Sequence, residues 1–498
     1  MNFKQLIVLF ILAISIFGCS SNKFTVSSFL EKSGRSTLPT QSEFPEDGAV
    51  YLYENTELKM FFDDKWQASV EKNYHAAILY FNDKAESYLT PIIYLNKEDK
   101  LVSFKAKTIK PNGEILELTR NDLHANQISS AEFTDNESVK FTFPGVESGC
   151  VVEYQYSVMR SRIWIHSQRW KIQDIIPKLY TKYAIEFPQD YLNSGHGWNF
   201  LPVNINLSAP KIEYHMKRSG MLEYGVAVYS WELENILGMK SESYMPPYED
   251  VAQYLRVDFR YDSWNDLSEK YWKRIKDKFQ PQNISDFNKL RKEIVGDATS
   301  DAAKIDSIFS YLQTSYRYVS SDIDNSGTIP HDVDEILRNK YGDCKDLSVL
   351  GTALLTSARV EAYPALVKTN TKGILRDRVV LFDFNHMIIY TKASDGKEYW
   401  LDATGNSCNL GETYPMIEGT KPLVLYNDGR SEFKKIPASK SHENLIFRNL
   451  KVNVDSSGNF TGNADILFKG NYNLIVRSGL RSLSKSEMEK AIQKYVYK

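Results

Sequence analysis

The sequence predicts a multidomain chain: an N-terminal all-β, sandwich-like domain, an α+β core, and a short C-terminal β segment. Three observations carry this. Apolar and polar residues alternate from about Ala49 to Glu249, as in strands with one buried face. Over 250–436 the spacing becomes helical and then returns to short β-branched runs, the order of an α+β unit. After about Pro437 strand-like alternation resumes. At 498 residues with 42% hydrophobic content, the chain is too long for one ordinary domain and has apolar material for several cores.

The opening residues, M-N-F-K-Q-L-I-V-L-F-I-L-A-I-S-I-F-G-C-S-S, hold a lysine, an apolar run too short for an ordinary membrane span, and small residues before Cys19. They resemble a bacterial lipoprotein signal with Ile16-Phe17-Gly18-Cys19 as the lipobox. The resemblance implies removal of 1–18 and lipidation of Cys19, each buried acyl methylene contributing ~0.8 kcal/mol to anchoring. The alternative is a short hydrophobic helix that stays in place. Residues 19–48, rich in serine, threonine and proline, predict a poorly ordered tether. Ser20-Ser21-Asn22-Lys23 lacks both the aspartate that resembles an inner-membrane retention signal and the acidic cluster that resembles a surface-export tag. The expected location is therefore the cell envelope, at the outer membrane and facing the periplasm. No other segment is long and apolar enough to span a bilayer.

Lysine plus arginine (61) nearly balances aspartate plus glutamate (63), and loss of Lys4 with the signal takes the formal charge from −2 to −3. No polycation is available to neutralise phosphates, so nucleic acid is excluded as an expected partner. Lipidation of Cys19 leaves Cys150, Cys344 and Cys408, an odd number that fits one reactive thiol better than a disulfide framework. No C-x-x-C spacing exists and the eight histidines are scattered, so neither a metal site nor another cofactor is expected.

The domain over 49–249 reads as many short strands. Val102, Phe104, Ala106 and Thr108 alternate with Ser103, Lys105 and Lys107 before the turn Pro111-Asn112-Gly113; Val152, Tyr154, Tyr156 and Val158 repeat the pattern. Trp66, Trp164, Trp170 and Trp198 fit core packing better than a carbohydrate or peptide groove. Tyr244-Met245-Pro246-Pro247 marks the boundary, since consecutive prolines interrupt helices and ladders. Helical spacing follows at Trp264, Leu267, Tyr271, Ile275 and Phe279 behind an Asp262 or Ser263 cap, and at Ile305, Ile308, Phe309 and Leu312 behind Ser300 or Asp301. Strands are expected near 362–369, 385–392 and 398–402. The last segment, 437–498, reads as a partial β-domain: alternation at Phe447, Leu450, Val452 and Val454, a turn at Asp455-Ser456-Ser457-Gly458, and a charged helix from about Ser484 to Tyr497.

The chemistry concentrates in K-Y-G-D-C-K-D-L-S-V-L-G-T-A-L-L-T-S, residues 340–357. Leu347, Leu350 and Leu354 give a helix one apolar face, Gly342 permits a sharp entry, and Cys344 falls at the helix start. Unpaired N–H groups and partial positive charge there favour thiolate over thiol. F-D-F-N-H-M-I-I-Y places His386 at the head of one strand, and K-E-Y-W-L-D-A-T-G places Asp402 at the end of the next. Antiparallel pairing would bring the two together, giving Cys344 for attack, His386 for proton transfer and Asp402 to orient the imidazole. Asp346 reads as a first-turn helix charge and Lys345 as solvated; His331 reads as a surface-loop residue, and Cys408 lacks a helix behind it.

This order of G-D-C-K-D, N-H and L-D-x-T resembles the transglutaminase-like core, a papain-like cysteine fold. The similarity extends to bacterial secreted or lipid-anchored proteins in which that core follows a β-rich domain of unknown function. Ala403 stands where that family often has proline, while Thr404 is kept. The resemblance implies acyl transfer through a thioester, on peptide or protein amides of the envelope. It also implies an oxyanion donor from the preceding helical half, for which Tyr318 in S-Y-R-Y-V is the candidate and Tyr316 its competitor. The alternative is a binding or assembly lipoprotein that keeps the same fold as a scaffold.

Overall fold

The structure is a computed structural model that describes residues 30–62, 68–95, 99–127, 137–160, 168–189, 197–219, 222–319, 328–481 and 483–496. Cys19, Trp66 and Trp164 lie outside the described residues. Among those described, no helix is long and apolar enough to cross a membrane.

The N-terminal half is built on an eight-stranded sheet. In spatial order its strands are Lys211–Ser219, Leu222–Ile236, Lys178–Pro188, Ala49–Phe62, Ala68–Tyr80, Val151–Arg160, Lys100–Ile109 and Ile115–Leu118. All neighbours are antiparallel except Ala49–Phe62 with Lys178–Pro188. A small sheet of Ile92–Leu95, His124–Gln127 and Glu137–Lys140 joins one hydrophobic core with the large sheet, through Ile93, Leu95 and Val139. A second small sheet, Trp198–Val203, Tyr254–Phe259 and Gln168–Lys171, packs Trp170, Leu255 and Val257 against Leu58, Tyr183 and Trp231. The arrangement is sandwich-like, and Trp170 and Trp198 serve packing within it.

Three expectations change at this level. Val102 is half-exposed while Leu101 is buried, because the ladder with Val151–Arg160 shifts register between Leu101 and Ser103; a bulge of this kind swaps the faces that simple alternation assigns. Residues 30–48, expected within a loose tether, pack on the sheet. Phe44 stacks on Phe81, Lys32 lies over the rings of Tyr53 and Tyr180, and Asn82 hydrogen-bonds Gln41, so this segment covers a cluster that includes Val50, Leu52, Leu79 and Tyr180. The strand Tyr254–Phe259 pairs with Trp198–Val203 and Gln168–Lys171, which carries the β-region past the proline pair. Local chain breakers mark where regular structure stops, but Leu255 and Val257, both fully buried, decide which core the chain belongs to.

The α+β core follows. Its helices are Trp264–Ile275, Ile284–Val295, Asp301–Ser315, Val333–Asn339 and Cys344–Ser357. Ser263, Asn283, Ser300 and Asp343 stand at N-caps with side chains accepting from the first turn. The helix Ile284–Val295 was not among the expected elements. Its five-stranded antiparallel sheet runs Glu398–Leu401, His386–Lys392, Glu361–Val367, Leu423–Leu425 and Ser431–Phe433. Helix Cys344–Ser357 is buried on every side through Leu355, beyond the single face its leucine spacing suggests. It lies against the sheet and the helices Asp301–Ser315 and Val333–Asn339. Gly351 permits that approach, since a Cβ there would meet Ile389 Cδ1 at 2.4 Å and Leu312 Cδ1 at 2.7 Å.

The C-terminal segment forms the hairpin Ile446–Val454 and Phe460–Phe468, then helices Asn471–Arg481 and Lys485–Val496. The first helix was unexpected. Its Leu474 enters the α+β core, and Arg477 binds the Ser407 carbonyl and Glu412.

Candidate active site

Asp343, almost wholly buried, caps the helix that begins with Cys344. Its carboxylate accepts from the N–H groups of Lys345 (3.0 Å) and Asp346 (3.3 Å), while Asp346 returns a bond from the Asp343 N–H at 3.1 Å. This capping box orients the turn bearing Cys344. Lys345 is buried and ion-paired to Asp343, contrary to the solvated role expected of it. With the helix embedded all round, the ammonium has a carboxylate rather than water as its neighbour. Asp346 also accepts from the His331 N–H at 2.8 Å and contacts His331 Nδ1 at 3.1 Å. That hydrogen bond raises the His331 pKa, while burial opposes it. Gly342 matters by closeness: an added Cβ would lie 2.7 Å from Asp346 Cβ.

The histidine and aspartate come together as their strand positions suggest. Ile389 pairs with Leu401, so the strand ends carrying His386 and Asp402 lie at the same end of the sheet. His386 Nε2 is 2.9 Å from Asp402 Oδ2. Asp402 Oδ1 accepts from Thr404 N–H at 3.1 Å and Thr404 Oγ1–H at 2.6 Å, which gives the L-D-x-T pattern a physical reason. Cys344 is near enough to His386 for its sulfur to raise the histidine's pKa. Ser348 ties the two elements together: its hydroxyl lies 2.7 Å from the Cys344 carbonyl and 3.0 Å from the Met387 carbonyl.

All three groups are nearly closed off, at 2%, 5% and 2% exposure for Cys344, His386 and Asp402. Burial alone would push His386 toward its neutral form. The Asp402 carboxylate and the Cys344 sulfur outweigh burial and hold its pKa well above the ordinary value. Asp402 shows the mirror image: burial would raise it, but His386 and the Thr404 bonds keep it below the usual carboxylate value. A protonated imidazole between two acceptors is the state this arrangement favours.

Tyr318 lies in a short parallel ladder opposite Gly342, two residues before the cysteine, and is half-buried against the core. Tyr316 is committed elsewhere, with its hydroxyl 3.3 Å from Tyr311 and 3.2 Å from Lys340 Nζ. Two neighbours escaped the sequence reading. Ser348 was visible only as a polar residue in an apolar helix, and Tyr271, whose hydroxyl donates to the Thr328 carbonyl at 2.6 Å, is close enough to feel the Cys344 charge. Among the described residues, no group of three or more histidines, cysteines, aspartates and glutamates is arranged to hold a metal.

Comparisons with known proteins agree with this geometry at the level of fold. Residues 67–238 match a family model described as a domain of unknown function with a solved structure, DUF3857. Residues 288–374 match the transglutaminase-like superfamily, a stretch that contains Cys344 and ends before His386 and Asp402. The crystal structure of a candidate protease from Parabacteroides distasonis aligns with a TM-score of 0.61 at 15% identity, over 79% of this chain and 72% of that one. A candidate cysteine protease from Cytophaga hutchinsonii aligns with a TM-score of 0.21 at 11% identity, over 60% of this chain and 85% of its own. No curated protein matches the chain. The chain therefore carries a transglutaminase-like domain behind an N-terminal domain of the DUF3857 type.

Proposed function

We propose that this protein cleaves or transfers peptide or protein amide bonds through a thioester on Cys344, while tethered by lipid at Cys19 to the outer membrane and facing the periplasm. The observation that supports it is that Cys344, at the start of a buried helix, lies within electrostatic reach of His386, whose Nε2 is 2.9 Å from Asp402. The Cys344 thiolate attacks the carbonyl carbon, and the carbonyl electron pair moves onto oxygen. The Cys344 N–H, which helix geometry leaves without an intrahelical partner, and the Tyr318 hydroxyl donate to that oxyanion. The His386 imidazolium gives its proton to the departing nitrogen as the C–N bond breaks. The neutral imidazole then takes a proton from water or an amine as that group attacks the thioester carbonyl, and the C–S bond breaks to release the acid or a new amide and return the Cys344 thiolate. Asp402 holds the ring throughout. No cofactor enters the scheme.

The near-complete burial of all three groups favours a second reading, a scaffold that binds or assembles with a partner. Envelope extracts incubated with wild type and with Cys344→Ala separate the two. New peptide N-termini or incorporation of a labelled amine, in wild type alone, supports catalysis; matching profiles support the scaffold. Iodoacetamide sharpens the choice, since an activated thiolate reacts below neutral pH and does so only with His386 present.

A further inference from the structure

His386 is the first residue of its strand, and the five residues before it are held mostly by groups outside the strand ladder. Asp383, three positions upstream, is ion-paired to Arg256, which comes from the β-region strand Tyr254–Phe259. Arg256 also donates to the Phe382 carbonyl at 3.0 Å and to Asp258 at 2.9 Å. Lys368 binds the other Asp383 oxygen at 2.8 Å. Lys368 directly follows Val367, the residue that His386 pairs with. Both arms leading to the His386–Val367 pair therefore converge on one carboxylate. Around this centre lie Glu249, 3.4 Å from Lys368, and Arg169, paired to Glu249 and 3.7 Å from Asp383. Arg256 and Asp258 are almost wholly buried.

We propose that Arg256 is a positioning residue for His386, so that the β-region forms a working part of the transglutaminase-like site. This rests on the catalytic reading given above for its consequence in turnover, though not for its geometry. A guanidinium fork spanning a backbone carbonyl and a carboxylate fixes the loop in two directions, which an ammonium cannot reproduce. Small displacements of a catalytic group carry large rate penalties, on the order of 10²-fold for about 1 Å.

The test compares full-length wild type, Arg256→Met and Arg256→Lys, with Asp383→Asn as a variant that keeps shape and removes charge. The direct readout is the NMR titration of His386 in histidine-labelled protein. Arg256→Met should release the ring from its partners and return its titration toward that of an ordinary histidine, with Arg256→Lys intermediate. The second readout is iodoacetamide labelling of Cys344 against pH. The acidic limb should fall about tenfold or more in Arg256→Met and shift toward alkaline pH, read on protein whose near-UV circular dichroism matches wild type because an unfolded thiol shifts the same way. Folded Arg256→Met with the wild-type titration would overturn the proposal. Should Arg256→Met fail to fold, wild-type titrations in both Arg256→Lys and Asp383→Asn would overturn it equally. Wild-type Cys344 as sluggish as in His386→Ala would defeat the catalytic reading, and the His386 titration would still decide the role of Arg256.

Discussion

Cys344 and Cys408 are both buried and both free, yet their surroundings differ in kind. Cys344 begins a capped helix and neighbours His386, whose pKa is held well above the ordinary value. Cys408 sits in the loop after Asp402, where its S–H points to the Glu412 carbonyl at 3.2 Å and Gln313 clasps its backbone at 2.9 and 3.1 Å. Burial, then the nearby Glu412 and Asp402, push its thiol up to about 12. The contrast teaches that burial beside carboxylates keeps a thiol protonated, and that what sets Cys344 apart is a histidine of raised pKa as its neighbour.

Replacing each cysteine by alanine is the hardest test of that contrast. Cys344→Ala should abolish amide turnover with little change in melting temperature, while Cys408→Ala should leave turnover intact; equal losses would erase the distinction. His386→Ala should reduce turnover by roughly 10²–10⁴-fold, read as kcat/KM, with Cys344 labelling slowed to resemble that of a buried thiol. Next comes Thr404→Val, which strips the hydroxyl bond from Asp402 Oδ1 while the backbone N–H bond stays, and should cost roughly tenfold in turnover.

Stability provides two smaller tests. Asp343→Ala removes the cap, worth about 0.5–2 kcal/mol, and strands the Lys345 ammonium, a defect of about 3–5 kcal/mol where a buried pair is broken. Denaturant unfolding should show a loss of several kcal/mol. For pH, the raised His386 pKa means its stabilising contribution is fully present below about 6.5 and fades as pH rises through the raised value. The stability gap between wild type and His386→Ala should therefore narrow on the alkaline side. A gap that widened there would contradict the imidazolium state.

Most of the site was legible because each piece is encoded within a few residues. A glycine, an acidic cap, a cysteine and leucines at helical spacing define one element. A β-branched run headed by histidine and another ended by aspartate define the rest, and the strand order brings them together. Lys345 reads as solvated because charged residues usually face water, and only the packing of the whole helix reveals that it is buried. The helix Ile284–Val295 was overlooked although its Phe287 and Val295 are buried in the core, because its many charged residues make the segment polar on average. The Leu101–Ser103 register shift was illegible because a bulge breaks the alternation from which strand faces are read.

By itself, the sequence determined the order of chemistry along the chain and the local conformations that carry it, since caps, periodicity and strand ends act over a few neighbouring residues. Tertiary structure alone decided what those pieces face. It set Arg256, 130 positions before His386, onto the loop that aims the imidazole, and it gave Tyr254–Phe259 to the β-region instead of the core that follows. Contacts between distant segments depend on the shapes of two folded surfaces, and no short window of residues contains both.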